Sequence, residues 1–192
     1  MEEKKIRVRL DGVADIMFNR FIDHSKEPRP PEQKFYLMEG NKVVLPGANI
    51  ESFLFGESKP PGCAKRFEGK AGSRYAQEGK ALVWVEESFI QLMNEGNPIV
   101  FDEFKGQFRV HMEAAVTLMS GGKVIKQEAQ PRPVVALPWW LQFHLTIIKG
   151  DMNRTIDSDK LYNWFNSGGV LIALGTHRPK FGRFMVSEWE NI

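Results

Sequence analysis

The chain has a single cysteine, Cys63, among its 192 residues. An intrachain disulfide is therefore impossible and a four-cysteine zinc site is excluded; a cytoplasmic location is the expectation. Histidine is also scarce. His24, His111, His144 and His177 are scattered, with no pair at ligand spacing on a helix, so neither a metal nor another cofactor is expected. Charge of one sign is lacking: 26 Lys and Arg against 24 Asp and Glu leave a net charge of +2. Affinity for a polyanion would have to come from local clustering. No uncharged run approaches the length needed to cross a bilayer. Met1-Glu2-Glu3-Lys4-Lys5 leads into alternating residues and not into the apolar stretch of a secretory signal, so no membrane partner is expected. There is no internal repeat, no low-complexity tract and no Ser-His-Asp or Cys-His spacing that reads as a nucleophile and its base.

What is present is a globular composition, 42% apolar and 26% charged, enough for one domain with a proper core over residues 1–192. Ile6-Arg7-Val8-Arg9-Leu10 alternates like a half-buried strand. Val13 to Phe21 is apolar-rich, a short helix or an irregular packed segment. Phe35 to Leu45, turning at Gly40-Asn41, reads as a β-hairpin. Asn49 is placed to cap a short helix carrying Ile50, Phe53 and Leu54. Ala81 to Val85 reads as a buried strand. Trp139 to Ile148 is a long central strand, its tryptophans either core or a stacking platform. Phe108 onward, turning at Gly121-Gly122, is a hairpin over residues 108–130 that is expected to protrude. Asp157-Ser158-Asp159 caps a helix with Leu161, Trp164 and Phe165 on its apolar stripe, and Gly168 is placed to stop it. The pattern is α+β, strands with a few short helices packed on one side.

Two stretches draw the eye to function. Residues 57–80 are rich in glycine and basic: Lys59, Lys65, Arg66, Lys70, Arg74 and Lys80, with Phe67 and Tyr75 interleaved. Cations alternating with rings hold single-stranded nucleic acid, charge on phosphate and ring on base. A surface insertion kept in solution by its lysines fits the same pattern. The second stretch runs from Gly168-Gly169 through an apolar run to Gly175, His177, Arg178, Lys180, Gly182 and Arg183. Glycine admits close approach of backbone to ligand, and flanking cations supply donors for phosphate. A solvated hairpin is the other reading. It is neither a Walker loop nor a dinucleotide fingerprint.

The order of these motifs resembles the repeat-associated mysterious proteins, or RAMPs, of CRISPR RNA-guided effector complexes. The resemblance rests on the opening strand Ile6 to Leu10 and on Val44-Leu45-Pro46-Gly47-Ala48-Asn49-Ile50 leading into the first helix. It rests also on the strand Phe143 to Ile148 that precedes the last helix. Its last element is Gly169 to Arg178 with Phe181-Gly182-Arg183-Phe184, similar to the family's glycine-rich loop. The resemblance implies a modified RRM, or ferredoxin-like, antiparallel sheet with helices on one face, a protruding hairpin and a basic insertion. It implies a non-catalytic subunit that holds single-stranded RNA, guide RNA in particular, by sequence-independent backbone contacts. Its partners would be other subunits of the ribonucleoprotein or copies of itself. Nucleic-acid contacts are expected from Lys65, Arg66, Lys70, Arg74, Gly175, His177, Arg178, Lys180, Gly182 and Arg183.

Two rivals accompany this expectation. RNA-processing RAMP nucleases use a histidine as general base in the region of His24, and some backbone subunits cut target RNA with an early-loop aspartate, here Asp15 or Asp23. A phage or mobile-element assembly protein that retains the fold without the nucleic acid is the second.

Overall fold

A computed structural model describes residues 2–20, 29–113, 116–118, 124–126, 129–149 and 156–192. The chain runs β1 (Glu2–Gly12), β2 (Ile16–Met17), β3 (Leu37–Met38), β4 (Lys42–Pro46), α1 (Gly47–Phe55), α2 (Cys63–Phe67) and α3 (Gly72–Leu82). It continues as β5 (Val83–Val85), β6 (Phe89–Gln91), β7 (Met93–Asn94), β8 (Asn97–Pro98), β9 (Phe108–Glu113), β10 (Val116–Leu118), β11 (Val124–Lys126), β12 (Gln130–Val135), β13 (Trp140–Lys149), α4 (Ser158–Leu171) and β14 (Phe184–Asn191).

The principal sheet is antiparallel, in the order β14-β1-β13-β7-β8, with β5 also paired to β13. β1 and β13 lie side by side over ten register pairs, Leu10 opposite Leu141 and Ile6 opposite Leu145. Alternation then decides which side is core. Ile6, Val8 and Leu10 of β1 and Leu141, Phe143, Leu145 and Ile147 of β13 are all buried. Against them pack α1 and α4, with Phe53, Phe165 and Phe184 in a ring cluster of 5.3 to 6.3 Å centroid spacings. This is the expected α+β architecture of a ferredoxin- or RRM-like domain, helices on one face. Among the described residues no helix is long and apolar enough to cross a membrane.

The opposite side of the sheet is polar and compensated. Lys5 pairs with Glu86 at 3.4 Å, Arg7 with Glu190, and Arg9 with Asp11 at 3.2 Å and Glu188 at 3.7 Å. Arg9 also lies 4.2 Å above the Trp140 ring. Trp139 belongs to the core, its indole donating to the Ala14 carbonyl at 2.9 Å.

Several local expectations are corrected. Of Val13 to Phe21, the described residues 13–20 are irregular and packed, not helical, because Ile16 and Met17 pair with Val135 and Val134 of β12. α1 starts at Gly47 with no side-chain cap, so Asn49 is inside it. Gly168 does not end α4, which continues to Leu171 from an Asp157 cap accepting from the Lys160 amide at 2.8 Å. A side chain at 168 would sit 2.7 Å from both Cys63 Sγ and the Phe53 ring, so glycine is there for close packing. Leu82 belongs to a helix, not to the strand that follows it.

The basic stretch 57–80 holds two helices. α2 and α3 bury Cys63, Ala64, Ala76 and Gly79 against α1 and α4. Glu68 ties them to α4, accepting from Trp164 Nε1 at 2.9 Å and from Lys160 Nζ at 3.1 Å. Gly72 and Gly79 are close-packing points, where a β-carbon would meet Lys65 of α2 and the Phe55 ring of α1, whereas Gly69 is open at the turn between α2 and α3. β9 and β12 form the base of the hairpin, from Phe108 opposite Val135 to Glu113 opposite Gln130, and β10 pairs with β11 beyond it. The turn at Gly121-Gly122 lies outside the described residues, as does His24.

A β-carbon at position 79 would lie 2.0 Å from the Phe55 ring. Gly79→Ala is expected to cost about 1–3 kcal/mol through overpacking, read as a lower melting temperature. A surface insertion would gain slightly from the same change, because alanine favours helix over glycine.

Candidate nucleic-acid interface

After Leu171 the chain makes a compact loop before β14. Ala173, Gly175, His177 and Gly182 all have positive φ, at 66°, 74°, 56° and 73°. Such a run needs support, because only glycine adopts this region without strain. The support comes from the segment between β1 and β2. Thr176 donates its amide to the Met17 carbonyl at 3.0 Å, and Gly182 donates to the Asp15 carbonyl at 2.7 Å. Leu174 donates to the Gly182 carbonyl at 3.0 Å, while the Arg183 carbonyl accepts from Val13 at 2.8 Å and Ala14 at 3.2 Å. The two glycines are required twice over. A β-carbon at 175 would stand 2.5 Å from the Met17 carbonyl oxygen, and one at 182 would stand 2.0 Å from that of Leu174.

Asp15 holds this arrangement to the base of the hairpin. Its carboxylate accepts from the Leu137 amide at 3.0 Å and pairs with Arg109 of β9. Asp15 is thus engaged in holding the fold; Asp23 lies outside the described residues, like His24. Among the described residues no group of three His, Cys, Asp or Glu is placed to hold a metal. His144 bonds Glu87 at 2.6 Å on the sheet, and His111 packs against Phe181 at 5.1 Å.

The cations of the glycine loop and those of α2 and α3 differ in their partners. Arg178 is half-buried, and desolvation holds its pKa below the ordinary arginine value, partly offset by the neighbouring Cys63. No carboxylate among the described residues pairs with it. Lys180 lies 5.7 Å from the Phe181 ring centroid, and Arg183 is exposed. Lys65 instead pairs with Glu57 at 3.5 Å, and Arg74 with Glu78 at 3.6 Å. Arg66 and Lys70 are exposed on α2 and the turn after it. The interleaved rings do not form a platform: Tyr75 packs edge-on to Trp164 at 6.1 Å, and Phe67 packs against the core.

Sequence reasoning missed the cleft beside the loop. It has a volume of about 240 Å³ and is lined by Met17, Phe18, Asn19, Tyr36, Leu45, Asn49, Gly175 and Thr176. The Pro46-Gly47-Ala48-Asn49 turn brings α1 to one wall, and the glycine loop forms another. Arg20 lies nearby, 5.8 Å from the Tyr36 ring, and itself lines a neighbouring cleft with Glu32 and Asp102. Amide groups, a hydroxyl, a half-buried phenol and a nearby guanidinium offer donors and acceptors to base edges, a ring to a base face and charge to phosphate. No carboxylate among the described residues lines the cleft beside the loop. Glu51 reaches instead toward the Val85 amide at 3.4 Å. Only the Pro-Gly turn and Gly175 were visible signals; Asn19 and Tyr36 fall in segments without a motif.

No family model matches the sequence, and no curated protein does. Among solved structures, the chain is similar to one in the cryo-EM structure of the Type III-B Cmr-beta bound to cognate target RNA, with a TM-score of 0.54 at 11% identity. The match covers 100% of this chain and 61% of the neighbour, so the chain spans under two thirds of that protein's length. The likeness is one of fold.

Gly182→Ala is expected to be the most damaging single change in the loop, combining a positive φ with a contact at 2.0 Å. A loss of at least about 2 kcal/mol in a denaturation midpoint is the expected outcome. A wild-type midpoint would mean that the loop is not held as described.

Proposed function

We propose that this protein is a non-catalytic RNA-binding subunit of a CRISPR-type ribonucleoprotein, holding single-stranded guide RNA by backbone contacts at the glycine loop and the adjoining cleft. The observation that carries the reading is the joining of two distant motifs at one opening: Asn49 from the first turn of α1, just after Pro46-Gly47, and Gly175-Thr176 from the loop line the same cleft. Arg178 has no carboxylate among the described residues, and neither has the exposed Arg183, so both guanidiniums are available to phosphate. The compensated face of the main sheet argues that RNA is not spread across it as on an RRM platform. The fold likeness to a chain in an RNA-bound CRISPR structure supports the same reading. Other subunits of the complex are the natural further partners.

The Arg178→Gln, Arg183→Gln protein should bind single-stranded RNA more weakly at every sequence tested. Its slope of log affinity against log salt should flatten by about 0.7 for each phosphate no longer neutralised. Fluorescence anisotropy with labelled oligouridine and a mixed-sequence oligomer measures both quantities. Unchanged affinity and slope would refute the loop as the phosphate site; cleavage of the RNA by the wild-type protein would refute the non-catalytic reading.

A further inference from the structure

A second cluster of cations stands at the base of the hairpin, away from every motif in the sequence. Lys34, ending the 3-10 turn Pro31–Lys34, is 4% exposed and is the only buried charged side chain among the described residues. Its ammonium donates to the Pro131 carbonyl at 2.7 Å and lies 3.5 Å from Gln130 Oε1. Both acceptors are neutral, and an ammonium carries three donors. Arg132 follows on the same strand, and its Nε is buried with no hydrogen-bond partner. Neither Lys34 nor Arg132 has a carboxylate partner among the described residues. Burial, then the like charges of Arg132 and Arg29, hold the Lys34 pKa below the ordinary lysine value. A buried ammonium beside a half-buried guanidinium, neither with a carboxylate among the described residues, is costly unless an anion completes the pair.

The cluster adjoins the proposed RNA site. Arg132 stands opposite His111 in the β12–β9 register, and His111 packs on Phe181 of the glycine loop. Two positions along the strand, Val134 shares a small apolar cluster with Met17 and Phe181. Phe18, which lines the cleft, donates its amide to the Pro133 carbonyl at 3.0 Å.

We propose that Lys34 and Arg132 form a phosphodiester-binding site that takes a second segment of the RNA backbone after it leaves the glycine loop. The inference rests on the RNA-binding reading and extends it: the RNA turns from the cleft toward the hairpin instead of crossing the main sheet. Lys34 supplies its remaining N–H and Arg132 its unpartnered Nε–H, both charge-assisted donors that favour phosphate oxygen.

The test uses the full chain, labelled oligouridine and anisotropy across a salt series, with melting curves taken without RNA. Arg132→Gln should weaken binding severalfold and lower the salt slope by about 0.7, while folding normally. Lys34→Met should lose affinity comparably yet melt at or above the wild-type temperature, because it removes a buried charge without a counter-ion. If Arg132→Gln binds as wild type while Arg178→Gln, Arg183→Gln is weakened, the hairpin site is refuted and the loop reading stands. If Arg132→Gln is weakened and the loop variant is not, the hairpin site stands and the loop reading falls. A Lys34→Met protein that melts lower and binds RNA normally would make the lysine a structural strut and overturn the proposal, as would a wild-type protein that binds no RNA.

Discussion

The clasp between the β1–β2 connection and the glycine loop is the constraint on which the site depends. Four residues at positive φ would not keep one shape unaided. The carbonyls of Asp15 and Met17 accept from Gly182 and Thr176, the Arg183 carbonyl accepts from Val13 and Ala14, and the Asp15 carboxylate reaches across to Leu137 and Arg109. Each of these backbone groups would otherwise need water. The clasp thus fixes loop, cleft and hairpin base relative to one another. It also explains why Gly175 and Gly182 lack side chains: each lets two chain segments close on each other beside the cleft.

Charge is distributed in agreement with that geometry. A net charge of +2 gives no long-range field to speak of. On the main sheet the arginines lie beside glutamates from β14, pairs worth little to stability but sufficient to cancel local potential. On α2 and α3 the carboxylates Glu57 and Glu78 do the same for Lys65, Lys80 and Arg74. Lys34 and Arg132 stand without an acidic partner among the described residues at the base of the hairpin, and Arg178 stands without one in the glycine loop, beside Cys63. A chain that is nearly neutral overall therefore has local sites suited to a polyanion.

The main sheet was legible because β1 and β13 obey simple alternation, and the last helix because Asp157 and its apolar stripe act locally. The helices of the basic stretch were not legible because Gly72 and Gly79 sit against neighbouring helices, an effect of tertiary contact that composition does not reveal. Gly168 was misread for the same reason, its missing side chain making room for Cys63 and Phe53. The glycine loop announced itself, yet its cleft partners did not. Asn19 and Tyr36 come from segments with no motif, and Lys34 and Arg132 are ninety-eight positions apart, joined only by the fold. Ion pairing is the other quantity hidden from sequence, since Asp15 looks like a free early-loop aspartate until Arg109 is seen beside it.

The central claim is that single-stranded RNA lies in the cleft between the Pro-Gly turn and the glycine loop. Photocross-linking with 4-thiouridine RNA, followed by peptide mapping, tests it most directly. The account predicts adducts on Tyr36 and on peptides spanning 17–20 and 175–183. Adducts confined to Trp84 and Trp140 on the main sheet, with none at the cleft, would contradict it.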